Sequence, residues 1–265
     1  LSSSIKSIPW DGQRISEPGI YANIPLNDYH RGDICDGPSL SSSGLRKLWA
    51  SSPKHFWDSS PLNPQGAERK ETETFILGRA THHLICGEVG FASLFAIRPD
   101  KMPDPKTGTM HDWNGNRSIC KDWLKLQARA GKAVLTTANV EAIRGMAMAI
   151  GQDQLAREAL NGLIERSIFW KDKETGVWLK ARPDVIPNAS GDFCDLKTTQ
   201  SVLYPDLQAS LFNYGYHQQG ALVLEGALAV GLDIASFSLV WVESARPYCV
   251  EVQPIDDEDI VRGST

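Results

Sequence analysis

Apolar positions along the chain change their period several times, and each change marks an element. From residue 41 the spacing is helical: Leu45, Leu48 and Trp49 form one stripe, with Ser41 or Ser43 placed to cap it. Pro53 interrupts the stripe, and Phe56 and Trp57 can anchor the next turn. Residues 73–87 read as a helix in which Phe75, Ile76 and Leu77 lead into Gly78-Arg79-Ala80-Thr81-His82-His83-Leu84-Ile85. Further helices are predicted over 117–130 and 138–160, the second with Val140, Ile143, Met146, Ala147 and Ile150 at three- to four-residue spacing. Strand patterning then takes over. Ser167–Lys171 and Val177–Ile186 flank the turn Asp172-Lys173-Glu174-Thr175-Gly176, and a second turn, 187–191, leads into a strand over Asp192–Thr198. A helix is expected over 205–230, with strands over 235–243 and 248–253.

Segments 60–72 and 98–116 are predicted loops by their Pro, Gly, Asn and Asp content. Residues 1–38 read as an extended N-terminal arm with turns, and 39–260 as one domain. Helices around a central mixed β-sheet make the expected class α/β.

Composition narrows the function classes. The 265 residues carry 27 basic against 32 acidic side chains, a net charge of -5, which excludes a polybasic tail for nucleic acid or lipid. It leaves room for a DNA enzyme, because a local basic groove and bound cations can do that work. The longest apolar stretch, Ala221 to Leu232, is broken by Glu225, Gly226 and Gly231, so no membrane span is expected. The five cysteines are odd in number and form no C-x-x-C, which argues against a disulfide framework or structural zinc. Reduced thiols in a cytoplasmic protein are the expectation. A start at Leu1 and an end at Gly263-Ser264-Thr265 suggest a fragment of a longer protein. No G-x-S-x-G elbow, Walker A loop or G-x-G-x-x-G is present, so three common chemistries lack their required parts.

The informative cluster is Arg182-Pro183-Asp184 followed by Asp195-Leu196-Lys197. In a strand, Asp195 and Lys197 project to one face and Leu196 to the other. If the 187–191 turn closes a hairpin, Asp184 comes near Asp195. Two carboxylates beside an ammonium suit a hard divalent cation, Mg²⁺ or Mn²⁺, with a positioned lysine. The same spacing also fits a turn-capping Asp184 and a solvated Asp195–Lys197 pair.

The surrounding motifs resemble the PD-(D/E)xK nuclease superfamily, specifically its RecB-like branch. Leu40-Ser41-Ser42-Ser43-Gly44-Leu45, with Ser51-Ser52-Pro53 and Phe56, is similar to the branch's opening helix. Ser52 stands where some relatives place an iron–sulfur cysteine, which counsels against a cluster. Gly78-Arg79-Ala80-Thr81-His82 is similar to the branch's G-x-x-x-H helix and selects His82 over His83. Glu165 resembles an upstream acidic residue of many such nucleases, although an exposed charge at a helix-to-strand junction fits equally. Tyr216-His217-Gln218-Gln219 is similar to a Y-x-x-Q helix motif whose second aromatic is replaced by Val223. Tyr216 and Gln219 then contact DNA or form the site wall, or serve as a core tyrosine and a helix cap. Residues 242–248 resemble the closing strand pair of exonuclease domains of this kind.

The resemblance implies a Mg²⁺-dependent exonuclease on double-stranded DNA ends, digesting 5′ to 3′ and leaving 3′ tails for recombination. Asp184, Asp195, the Leu196 carbonyl and His82 would bind metal, Lys197 would orient water or stabilise charge, and Glu165 would assist. A single-strand annealing protein and a ring-shaped homo-oligomer are the implied partners. A structure-specific or restriction-type endonuclease and a non-catalytic DNA-binding domain are the alternatives. Some of the eight tryptophans could stack on unpaired bases, and the sequence does not select which.

Overall fold

The computed structural model describes residues 5–66, 71–88, 90–188 and 190–264. Parts of two predicted segments, 67–70 in the 60–72 loop and 189 in the 187–191 turn, lie outside the described residues. In chain order the first elements are β1 (Ile8–Pro9), β2 (Gly19–Ala22), α1 (Leu26–Tyr29), β3 (Ser39–Ser41), α2 (Ser42–Ala50), α3 (Pro53–Asp58) and α4 (Glu73–Ile85). Next come α5 (Phe91–Leu94), β4 (Phe95–Ile97), β5 (Lys101–Pro103), β6 (Met110–Asp112), α6 (Ser118–Arg129), β7 (Ala133–Leu135), α7 (Thr137–Gln152) and α8 (Gln154–Ala159). The last part holds β8 (Gly162–Ile164), β9 (Ser167–Lys171), β10 (Trp178–Ala181), β11 (Val185–Pro187) and β12 (Asp192–Thr199). It ends with α9 (Tyr204–Asn213), α10 (Tyr216–Ala229), β13 (Ser236–Glu243), β14 (Val250–Pro254) and α11 (Asp257–Ser264).

Among the described residues there are two five-stranded sheets, ordered β1-β2-β9-β10-β3 and β14-β13-β12-β11-β8. The second is mixed: β12 and β13 run parallel while β11–β12 and β13–β14 are antiparallel. The expected mixed sheet flanked by helices is therefore present, and a second sheet joins it.

One hairpin connects the two sheets. Its outer half pairs β9 with β10 in the first sheet, and its root pairs β8 with β11 in the second. The register continues through the bend: Ala181 faces Ile168, Val185 faces Ile164, and between them the Glu165 amide donates to the Asp184 carbonyl at 3.2 Å. The bend falls where Glu165 takes a left-handed φ of 53° and where Pro183 has no N–H to give a ladder. The single strand expected over 177–186 is thus two strands in different sheets, broken at residues 182–184.

Side chains on β12 alternate between two cores. Phe193 packs with Phe237, Leu239 and Trp241 against Leu207 and Leu211 of α9 and Leu222 and Val223 of α10. Cys194 and Leu196 face the other way, with Val240, Val242 and the Ile143, Met146 and Ile150 stripe of α7. A fully buried side chain of this size contributes roughly 1.5–3 kcal/mol by leaving water.

Other predicted elements are modified by local chemistry. The 138–160 helix is two helices, because Asp153 leaves helical geometry and its carboxylate accepts the Ala156 amide at 2.8 Å as a new cap. The 205–230 helix breaks at Gly215, whose φ of +63° ends α9. A Cβ there would also lie 2.7 Å from the Arg46 side chain. The 98–116 loop contains the β5–β6 hairpin. The expected N-terminal arm is extended, yet it is not free: β2 pairs with β9, and Tyr21, Ile24 and Tyr29 cover Phe169 and Trp178 in a third core cluster.

Candidate active site

The bend of the hairpin, the C-terminal turn of α4 and the N-terminal turn of α10 converge on one group of side chains. Thr72 caps α4 by accepting the Phe75 amide at 3.2 Å, and the helix then delivers His82 and His83 in its last turn. His82 Nε2 lies 2.6 Å from Asp184 Oδ1, and its Nδ1 lies 3.3 Å from Glu165 Oε1. His83 points elsewhere. Its Nδ1 lies 3.3 Å from Glu88, and its ring sits near Phe91 and Phe95.

Asp184 Oδ2 accepts the Leu196 amide at 2.6 Å, so the root hairpin ties its carboxylate to β12. Asp195 is 2 % exposed, and both of its oxygens are engaged. Oδ1 accepts the Asp184 amide at 3.3 Å, while Oδ2 accepts from Lys197 Nζ and from Gln219 Nε2 at 2.8 Å. Lys197 Nζ also lies 4.7 Å from the centre of the Tyr216 ring. The expected residues His82, Glu165, Asp184, Asp195, Lys197, Tyr216 and Gln219 therefore occupy one site. Leu196 touches it through its amide, and its side chain is buried in the opposite core.

Sequence reasoning gave no role to two residues found here. Arg182 sends Nη1 to within 3.5 Å of Glu165 and donates through Nε to Ser167 Oγ at 2.8 Å. Its Nη2 donates to the Ile24 carbonyl at 2.9 Å, and its guanidinium lies 4.4 Å from the Tyr29 ring centre. Glu88 bridges the two histidines, 3.6 Å from His82 and 3.3 Å from His83. A basic residue two before the motif aspartate was visible as a signal for Arg182. Glu88 comes after the helix, and only chain reversal at Gly87 brings it back.

Charges in this pocket are strongly perturbed. Burial opposes an imidazolium at His82, but the adjacent Asp184 holds its pKa well above the usual histidine value. Burial would raise Asp184, and the charge and hydrogen bond of His82 instead keep it low. Burial, then the neighbouring Asp184 charge, pushes Asp195 up to about 6. Burial alone is the largest cause that lifts Glu165 to about 7. Burial works against the Lys197 charge, and Asp195 more than restores it.

The donor set fits a divalent cation. One ligand atom each from His82, Glu165 and Asp184 lies within 4.8 Å of the others. Two carboxylates and an imidazole are compatible with Mg²⁺ and better matched to Mn²⁺. A cation among them would favour the ionised carboxylates that burial disfavours. Lys197 and Gln219 occupy Asp195 Oδ2, while Oδ1 accepts the Asp184 amide at 3.3 Å and keeps a lone pair with which Asp195 could join.

One solved structure shares this architecture. An inferred exonuclease from Eubacterium rectale, solved by crystallography, superposes with a TM-score of 0.61 at 14% identity, over 91% of this chain and 81% of that one. At that identity the likeness is one of fold. A second crystal structure, of the protein SSO0001, aligns with a TM-score of 0.29 at 17% identity, over 54% of this chain and 64% of that one. No curated protein matches the chain. Among the described residues, no helix is long and apolar enough to cross a membrane. Residues 41–261 match the model of a PDDEXK-like domain of unknown function, DUF3799, and the chain belongs to that family.

Proposed function

We propose that the protein is a metal-dependent nuclease that hydrolyses phosphodiester bonds at the ends of double-stranded DNA. The observation that carries this reading is the convergence of His82, Glu165 and Asp184 beside the Asp195–Lys197 pair. His82, Asp184 and Glu165 would hold Mg²⁺ or Mn²⁺, with Asp195 and the Leu196 carbonyl as further ligands. When bound, the ion supplies Lewis-acid stabilisation of phosphoryl charge and a more acidic water.

The chain's own residues do the remaining work. Gln219 holds Asp195 by one oxygen, and the Tyr216 ring supports the Lys197 ammonium. Lys197 would present a compact positive charge to the phosphoryl oxygens on which negative charge develops. Arg182 restrains Glu165, so that this carboxylate stays aimed at His82.

The finer reading follows the sequence motifs, which resemble exodeoxyribonuclease VIII. On that resemblance the enzyme digests 5′ to 3′, leaves a 3′ single strand for recombination, and works with a single-strand annealing protein. A homo-oligomeric ring would suit a net charge of -5, since positive potential need line only the channel. The test is a linear duplex with each strand end-labelled separately, beside a covalently closed plasmid, in Mg²⁺ or EDTA. Loss of label from the 5′ ends with the plasmid intact supports the reading. Plasmid cutting makes the protein an endonuclease, and tight binding without cleavage makes it a binding domain.

A further inference from the structure

We infer that an exposed aromatic groove beside the site is a stacking platform for unpaired bases of the DNA strand handled there. The inference rests on the nuclease reading and adds a second contact surface to it. The groove lies between α2 and the α9–α10 junction and is lined by Arg46, Trp49, Phe212, Tyr214, His217 and Gln218. Trp49 is 75% exposed and Tyr214 61% exposed, which is unusual for rings this large.

The surface is continuous with the site. The Tyr214 ring centre lies 5.7 Å from that of Tyr216, and Tyr216 carries Lys197 at 4.7 Å. Arg46 donates to the Tyr214 carbonyl and crosses Gly215, where a side chain would collide with it. The break between α9 and α10 therefore turns Tyr214 outward and lets α2 close on it. A strand with its phosphate at Lys197 would meet Tyr214 next and Trp49 beyond.

Charge selects the occupant. Residues 40–57 carry Arg46, Lys47 and Lys54 and no Asp or Glu, and 207–224 carry no Asp or Glu either. At the Phe212 end, Arg262 lies 5.9 Å from the ring centre and is paired with Asp259. The groove's own lining holds Arg46 and no Asp or Glu, while the acidic first turn of α11 lies outside it, so the lining itself suits an anionic strand. Aromatic rings interleaved with cations are what sequence-tolerant single-strand binding requires.

The experiment is a fluorescence-anisotropy titration of short oligothymidylate in EDTA at fixed low salt, with melting curves for each variant. Trp49→Ala and Tyr214→Ala should each weaken binding roughly 5–100-fold with unchanged melting temperature, and Trp49→Phe should retain most of the affinity. Unchanged affinity in both alanine variants overturns the platform, as does a parent that cleaves duplex in Mg²⁺ yet binds no oligothymidylate. In either case the nuclease reading stands. A parent that neither binds nor cleaves removes the nuclease reading and the platform with it. Trp49→Ala turning a dimer into a monomer with oligothymidylate affinity intact assigns the patch to a second copy and overturns the proposal.

Discussion

Glu165 and Asp184 face each other across the bent hairpin, joined by the 3.2 Å bond from the Glu165 amide to the Asp184 carbonyl. Directly opposed positions place both carboxylates on one face, where like charges destabilise a strand pair. His82 and Arg182 offset part of that repulsion. Glu165 also holds a left-handed backbone, which costs a non-glycine residue about 1–3 kcal/mol. Such an arrangement stores instability that a cation can relieve.

Mg²⁺ should therefore raise the melting temperature of the parent at pH 8 relative to EDTA. Glu165→Gln should melt at or above the parent in EDTA, because the opposed charge is gone, whereas Asp184→Asn should melt below it, because the His82 imidazolium loses its partner; both should gain little from Mg²⁺. Both should lose Mg²⁺-dependent cleavage. Calorimetric melting with and without the ion is the measurement, and an undiminished Mg²⁺ increment in both variants would remove the cation site.

The two adjacent histidines should separate cleanly. His82→Ala should lower cleavage by roughly 10²-fold or more, since it removes a group facing both carboxylates. His83→Ala should leave the rate much closer to the parent but cost about 1–3 kcal/mol of stability, because its buried ring packs against the stacked Phe91–Phe95 pair. Single-turnover rates beside chemical denaturation decide the ranking.

Lys197 should act on rate more than on affinity. A charge used mainly in the transition state is worth on the order of 10²–10³-fold in rate. Lys197→Ala should lose that much while still binding duplex in Ca²⁺, and Lys197→Arg should not restore it, since a planar fork does not replace a point charge. Collapse of binding with a normal rate in the bound complex would make Lys197 a docking residue.

Lys180 gives a pH signature away from the site. It is buried and donates to the Tyr29 and Arg31 carbonyls at 2.7 and 2.8 Å. Burial pulls its pKa down to about 8. Between pH 8 and about 10.5 the unfolded chain keeps this proton and the folded chain does not, so this group's contribution to stability rises with pH across that window. Lys180→Met should lose that rise, and denaturant titrations of both proteins from pH 7.5 to 10.5 will show the difference in slope.

Much of this was legible in the chain because the signals are local. The turn residues at 172–176 announce the hairpin, although counting outward from them opposes Glu165 to Pro183; the bond from the Asp172 amide to the Val177 carbonyl shifts the register by one and brings Asp184 opposite Glu165. The α4 stripe and its G-x-x-x-H spacing fix which histidine leaves the helix on the same side as Gly78. The bend was not legible. Nothing in the period of 177–186 says that its two halves join different sheets, a choice made by packing against β3 on one side and β12 on the other. Likewise Gly215 reads as a tolerated glycine within a long apolar helix until Arg46 is seen to cross it. Glu88 and the Ile24 carbonyl reach the site through chain reversal and a long-range contact, which short motifs cannot encode.

Similarity to the family begins at residue 41, but the mechanical unit begins earlier. The Ile24 carbonyl and the Tyr29 ring hold Arg182, and Arg182 in turn holds Glu165. The segment before residue 41 thus works as a buttress whose thrust ends on a carboxylate. A chain shortened to residue 41 would uncover Phe169 and Trp178, leave β9 with a raw edge, and let Glu165 swing on a loosened support. The line where resemblance starts and the line where the scaffold can be cut are two different places in this molecule.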